Sequence, residues 1–371
     1  MKIAIEAQRI FRKKKHGMDF VALETIRELQ QIDKSNDYYI LVSPGEDRCL
    51  TETANFHIIE IHVPSYPLWE QVGLPLALKK IKPDLLHCTS NTAPLFGNTP
   101  LVLTLHDVIF MEKKHGTSNS LYQRMGWHYR RWNVPRVLKN CKRIITVSHF
   151  EASRICQTMK LPANSVTPVY NGFSKHFHPS DNWTEIVTPY CSEPHYFFFL
   201  GNTDPKKNTL RTLKAYALYL KTSNNPCTLL IADLSEKDID NYLKKGNIED
   251  IKPHLRFPGY IANTDLPAIY NGAKAFIYTS LRESFGIPLL EAMACGTPVI
   301  SSNTSAIPEI AGEGAILVDP TDEKAIAREM LRLEKDSALR QKQITYGKER
   351  AKLFSWKQTA EKLLEIYQSI L

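Results

Sequence analysis

Short runs of near-continuous apolar residues alternate with longer amphipathic stretches along the whole chain. In the first half such runs fall at Lys2–Glu6, Tyr38–Ser43, Ile58–His62, Asp84–Cys88, Leu101–His106, Arg143–Val147 and Val166–Val169. Between them, Asp19–Gln31, Ser120–Asn140 and His149–Met159 carry helical spacing. A strand that is apolar on both faces belongs in a parallel sheet covered on both sides by helices. The pattern restarts after the polar stretch Ser174–Pro194, with strands predicted at His195–Leu200, Cys227–Ala232 and Ala275–Tyr278 and a helix at Thr209–Tyr219. From Asp322 onward the pattern is helical, and Ser355 is placed to cap a last helix running to Leu371.

Two such series predict two doubly wound α/β domains facing each other across a cleft, with boundaries at 1–172 and 173–354 and the helix 355–371 packing back on the first domain. Ligands of these sheets lie beyond the carboxyl ends of the strands.

Composition narrows the class. The 371 residues are long enough for two cores, and 43% of them are hydrophobic. No apolar run approaches the roughly 20 residues of a membrane-spanning helix. The apolar start is too short for a signal peptide, so a cytoplasmic protein is expected. Seven cysteines are scattered without a paired spacing, which fits reduced thiols better than a disulfide framework or a zinc site. The net charge of +8 sits in the first half, where 24 Lys and Arg through residue 180 face 15 Asp and Glu. Arg12–Lys15 and a basic, aromatic segment (Trp127, Tyr129 and Trp132 among Arg124, Arg130, Arg131 and Arg136) are candidates for contact with a phosphorylated acceptor or a membrane surface. At helical spacing the same aromatics are equally at home in a core.

The segment richest in chemistry is SLRESFGIPLLEAMACGTPVIS, Ser280–Ser301. A strand runs into a loop bearing Glu283, and Phe285, Gly286 and Ile287 lead to Pro288 at the start of a helix. Free amides and the partial positive charge at such a start favour phosphate. Glu291 lies about one turn in, and a carboxylate there can accept both hydroxyl protons of a vicinal diol such as a ribose. The spacing alone is also compatible with two surface glutamates around an ordinary strand-to-helix turn.

This stretch resembles the retaining glycosyltransferases of family 4, with the GT-B fold, whose signature is E-x-F-G-x-P-x-x-E-A-M-A-x-G-x-P-V-I. The resemblance implies that Glu283 contacts the donor sugar, that Glu291 contacts the ribose, and that the backbone of Phe285, Gly286 and Ile287 meets sugar and phosphate. Gly201–Asn208, with Lys206 and Lys207, is similar to the family's G-x-x-x-P-R-K-N, whose cations neutralise the leaving diphosphate. Lysine at 206 replaces a more usual arginine and gives up its bidentate fork. His106-Asp107 resembles the family's T-x-H-D, which implies contact between His106 and the transferred sugar. Gly17 resembles the small residue that approaches the donor phosphate, although Gly17-Met18-Asp19 departs from the usual G-x-G. Thr146-Val147-Ser148 and Tyr170-Asn171-Gly172 are similar to family landmarks, and Gly259-Tyr260-Ile261 to the loop under the base.

The expected activity is therefore transfer of a sugar from a GDP- or UDP-sugar to a saccharide or lipid-linked saccharide, as in bacterial polysaccharide and lipopolysaccharide assembly. No cofactor or metal is called for, and no nucleic acid. The alternatives are a nucleotide-sugar epimerase of similar fold or a non-catalytic glycan- or partner-binding protein. A nicotinamide dehydrogenase is disfavoured because no G-x-G-x-x-G follows a strand. Asp238-Ile-Asp240 mimics a metal-binding D-x-D, but Ser235 three residues before Asp238 reads as a helix cap.

Overall fold

A computed structural model describes residues 1–112 and 121–370. The predicted start of a helix at Ser120 lies outside the described residues. The chain divides into two compact units: Met1–Gly172 together with Trp356–Leu371, and Phe173–Ser355.

The first unit runs β1 (Lys2–Glu6), α1 (Gly17–Ile32), β2 (Asp37–Val42) and β3 (Phe56–Glu60), followed by α2 (Tyr66–Leu68), a π-helical turn (Trp69–Gly73) and α3 (Leu74–Ile81). Next come β4 (Leu85–Cys88), β5 (Leu101–Thr104), α4 (Leu121–Val137), β6 (Cys141–Thr146), α5 (His149–Met159) and β7 (Val166–Pro168). Its sheet has the order β3-β2-β1-β4-β5-β6-β7, and every pairing is parallel. The order reverses between β1 and β4, which opens a crevice at their carboxyl ends.

The second unit contains α6 (Thr184–Val187), β8 (Tyr196–Leu200), α7 (Thr209–Leu220), β9 (Thr228–Ala232), α8 (Glu236–Gly246), β10 (Leu255–Gly259) and α9 (Leu266–Gly272). It continues with β11 (Ala275–Tyr278), α10 (Ile287–Cys295), β12 (Val299–Ser302), α11 (Ile307–Ala311), β13 (Ile316–Val318), α12 (Glu323–Lys335) and α13 (Ser337–Ala351). The sheet order is β10-β9-β8-β11-β12-β13, again all parallel. Here the order reverses between β8 and β11, and the loops after these two strands carry Lys206, Lys207 and Glu283.

The last helix, α14 (Trp356–Gln368), packs against α1 in the first unit. It adds Ala360, Leu363, Ile366 and Tyr367 to the core formed by Ile3, Ile5, Leu23, Ile26 and Leu29. The Tyr367 hydroxyl lies 2.6 Å from Nδ1 of buried His87, whose Nε2 is 2.7 Å from Thr104 Oγ1. Burial drives this histidine down to about 3, so it is a neutral packing residue.

On the opposite face of that sheet, α2–α3 and α4 share a core of Trp69, Leu74, Leu78, Val134 and Val137. The two are also joined by a buried carboxylate. Glu70 accepts from Tyr66 and Thr92 on Oε2 and from Tyr129 and Gln71 on Oε1. Ser235 caps α8 by accepting from the Asp238 amide, and Asp238 returns a bond to the Ser235 amide. Asp240 pairs with Lys252 at 2.7 Å. The D-x-D sequence is thus a capping box plus a surface ion pair.

Candidate active site

The loop after β8 forms a single turn, Pro205–Lys207, ended by Asn208 in the left-handed region (φ 61°). That backbone holds because the Asn208 side chain donates to the Thr279 carbonyl (3.0 Å) and the Pro320 carbonyl (2.7 Å), tying the turn to the end of β11. The Leu281 amide donates to the Lys206 carbonyl at 2.7 Å. Two loops remote in sequence are thereby fixed side by side.

Their charged groups meet. Lys207 Nζ donates to Glu283 Oε1 at 2.6 Å, and Nζ stands 5.5 Å from the centre of the Tyr278 ring. Burial, with the neighbouring Glu283 carboxylate, holds the Tyr278 phenol well above its ordinary range. Glu283 is anchored through its backbone: its amide donates to Ser305 Oγ (3.0 Å), and its carbonyl accepts from the Ala306 amide (3.3 Å). Lys206 instead faces Asp204 at 3.5 Å, with 40% of its side chain exposed.

Gly286 caps α10 with φ 101° and ψ 55°, where an L side chain is strained. A Cβ added there would lie 3.5 Å from the Tyr278 ring. Gly286 and the Lys207 ammonium therefore border the same tyrosine. Ile287 begins the helix and Pro288, which has no N–H, follows, while the Leu289 amide donates to the Gly286 carbonyl at 3.0 Å. Phe285 is buried with its ring edge-on to Phe354.

Glu291 follows within α10, in a site where burial raises its carboxyl to about 8. The buried Tyr270 hydroxyl is 3.5 Å from its Oε2. At the end of β10, Gly259 accepts from the Asp233 amide at 2.7 Å, leaving Tyr260 76% exposed and Ile261 buried.

His106 and Gly17 belong to the first unit. The expected strand-end position of His106 is displaced: β5 stops at Thr104, and His106 lies in the irregular segment beyond. Its amide donates to Asn91 Oδ1 (2.6 Å), and Nε2 meets the Thr89 carbonyl (2.9 Å). Nε2 must therefore carry the proton of the ring. Burial favours that neutral form, and Nδ1 has no hydrogen-bond partner among the described residues. Gly17 is the first residue of α1, with open space where a Cβ would be. Asp19, two residues on, bonds the His16 amide and pairs with Arg9 at 3.1 Å.

Tyr270, Tyr278 and Ser305 escaped the sequence reading. Tyr278 ends the strand before the glutamate loop and was findable by position, whereas Tyr270 and Ser305 approach from other elements.

The family called Glycosyltransferase Family 4 matches residues 16–176, and Glycosyl transferases group 1 matches residues 188–350. The chain belongs to this family of GT-B glycosyltransferases. It is 28% identical over 273 residues to O-antigen chain mannosyltransferase B of Escherichia coli, covering 72% of this chain and 70% of that protein. It is 27% identical to O-antigen chain mannosyltransferase RfbU of Salmonella typhimurium, covering 78% and 74%. Among solved structures, sucrose-phosphate synthase of Thermosynechococcus elongatus superposes with a TM-score of 0.76 at 19% identity, covering 100% and 99%. Anabaena HepE in complex with UDP-glucose superposes at 0.72 and 17%, covering the whole of both chains.

Proposed function

We propose that the chain transfers a sugar, with retention, from a GDP- or UDP-sugar to a saccharide or lipid-linked saccharide during assembly of a cell-surface polysaccharide such as lipopolysaccharide. The observation that carries this reading is the Lys207–Glu283 pair at 2.6 Å beside the Gly286 helix start, with Glu291 on the same helix. A cation beside a helix start suits a diphosphate, and two carboxylates suit hydroxyl groups.

The leaving nucleoside diphosphate gains charge as the glycosidic bond breaks. Lys206, Lys207 and the amides of Phe285–Ile287 would hold that charge, so no metal is needed for it. Glu291 would take the ribose hydroxyls, and Glu283 and His106 the donor sugar. Tyr260 and Ile261 would border the base, and Gly17 would let backbone approach the phosphate. The names of the two O-antigen relatives favour a mannosyl-type donor and a polysaccharide acceptor, and the HepE complex shows that this fold accommodates a UDP-sugar. A lipid-linked acceptor would place the protein at the cytoplasmic surface of a membrane. Among the described residues no helix is long and apolar enough to cross one.

The test is a panel of UDP-, GDP-, ADP- and dTDP-sugars read by thermal shift and slow donor hydrolysis in EDTA. Stabilisation by one nucleotide series, with release of its diphosphate, is expected. Absence of both with every donor would overturn the reading.

A further inference from the structure

The strands that lead to Lys207 and to Tyr260 have β9 between them, and the first residue beyond β9 is Asp233. Neighbouring strands lie about 4.8 Å apart, so a nucleoside reaching from the lysine loop to the tyrosine loop would pass over this strand end. Backbone contacts fix the three ends together. The Gly201 amide donates to the Ala232 carbonyl (3.0 Å), and the Asp233 amide donates to the Gly259 carbonyl (2.7 Å). A Cβ on Gly201 would lie 2.5 Å from Leu234 Cδ1, so glycine there lets the residue after Asp233 press on the start of the lysine loop. Asp233 takes φ 63° and Gly259 takes φ 80°, two left-handed residues on adjoining strand ends. Tyr260 follows with 76% of its surface exposed, an aromatic face on which a base can stack.

The Asp233 carboxylate has no structural occupation. Among the described residues it accepts no hydrogen bond and meets no cation. Other aspartates of the unit are engaged, Asp204 with Lys206, Asp240 with Lys252 and Asp265 with Tyr190. Asp233 caps no helix either, since Ser235 fills that place for α8. The residue is exposed, yet desolvation raises its carboxyl and no partner offsets that cost.

A carboxylate only accepts hydrogen bonds, so the base it suits is one that offers donors in pairs. Guanine does so, with N1–H and the N2 amino group adjacent on one edge. Uracil and thymine offer a single N–H between two carbonyl oxygens, which an ionised carboxylate repels. Adenine sets its amino group beside an acceptor nitrogen. From this we infer that Asp233 reads the N1–H and N2 amino edge of guanine, with the base on Tyr260, and that the donor is a GDP-sugar. Two parallel N–H···O bonds to a charged acceptor combine strength with selectivity. The inference rests on the proposed nucleotide-sugar reading and adds to it the residue that selects the base.

Calorimetric titration of the full chain with GDP, IDP, UDP and ADP tests it. Inosine diphosphate differs from GDP only in lacking the N2 amino group, so it withdraws one of the two donors. GDP should bind about tenfold more tightly than IDP, and at least as far ahead of UDP and ADP. Asp233→Asn and Asp233→Gly both introduce residues at home in a left-handed turn. Each should close the gap between GDP and IDP to within about twofold while binding UDP as the parent does. The proposal is overturned if the parent binds GDP and IDP alike, or if UDP or ADP binds as tightly as GDP. It is also overturned if both variants weaken every nucleotide equally, which would make Asp233 a ribose contact or a scaffold residue. Tight binding of UDP with release of UDP from its sugar would remove the guanine assignment and leave the transferase reading standing. Failure of the parent to bind any nucleoside diphosphate would remove both.

Discussion

Lys207 Nζ and Glu283 Oε1 lie 2.6 Å apart, although 76 positions separate them in the chain. In the free protein each neutralises the other at the start of α10. Under the proposed function, a diphosphate arriving there would compete for the ammonium and so would free the carboxylate for a sugar hydroxyl.

Lys207→Ala should therefore act on turnover more than on donor affinity. A loss of about a hundredfold in kcat is expected for removing a group that meets the leaving charge, with a smaller change in donor KM. Lys207→Arg should recover part of it. Steady-state kinetics with the true donor check this, and an unchanged kcat in the alanine variant would refute it.

Tyr278→Phe keeps the ring beneath Lys207 and removes the hydroxyl that neighbours the Glu283 carboxylate. Loss of a polar neighbour of the charged group corresponds to about 1 kcal/mol, so kcat/KM should fall by about fivefold. A variant as active as the parent would show that Glu283 does not depend on this contact.

Glu291 gives a pH dependence with a definite sign. Its carboxyl is raised to about 8 by burial, so below that pH the free protein holds it protonated and less able to accept both hydroxyls of a diol. Donor affinity should rise with pH toward 8 and then level off, and Glu291→Ala should weaken donor binding and flatten the curve. Nucleotide titrations by calorimetry across the range decide it.

The same shift bears on stability. A carboxyl whose folded pKa lies above its unfolded value stabilises the fold fully below the unfolded value. That contribution disappears as pH rises through about 8, where the charge must be carried buried. Glu291→Gln should thus raise Tm by a few degrees above pH 8 while impairing donor binding. Thermal melts of both proteins at acid and alkaline pH test this, and a variant that melts lower at alkaline pH would contradict it.

Gly286→Ala probes the helix start itself. With φ at 101°, the cost is about 1–3 kcal/mol of backbone strain, because the added methyl meets the Tyr278 ring only at ordinary contact distance. Relief of that strain would turn the amide away from the anion site. Tm and donor affinity should fall together, and a Tm unchanged from the parent would show that the turn tolerates a side chain.

Much of the fold was legible. β8, Tyr-Phe-Phe-Phe-Leu, is apolar on both faces because helices cover both sides of a parallel sheet, and such runs stand out in a sequence. The Ser235 cap was legible because a capping box spans three residues and needs no tertiary partner. The candidate site was legible only as segments. The start of α10 follows from Gly286 and Pro288, but the raised carboxyl of Glu291 does not, since one carboxylate in a helix looks like any other until the elements around it are placed.

By itself, the sequence determined the alternation of strands and helices, the helix starts and the chemical types gathered in Ser280–Ser301, all of which depend on residues a few positions apart. Tertiary structure alone decided that Lys207 faces Glu283 and that the Tyr278 ring lies beneath Lys207. It also decided that Tyr129 turns inward to Glu70 while Leu68, Val72 and Leu76 remain outside. The reason is physical: periodicity marks which residues share a face, whereas partners and burial depend on what the rest of the chain packs against that face.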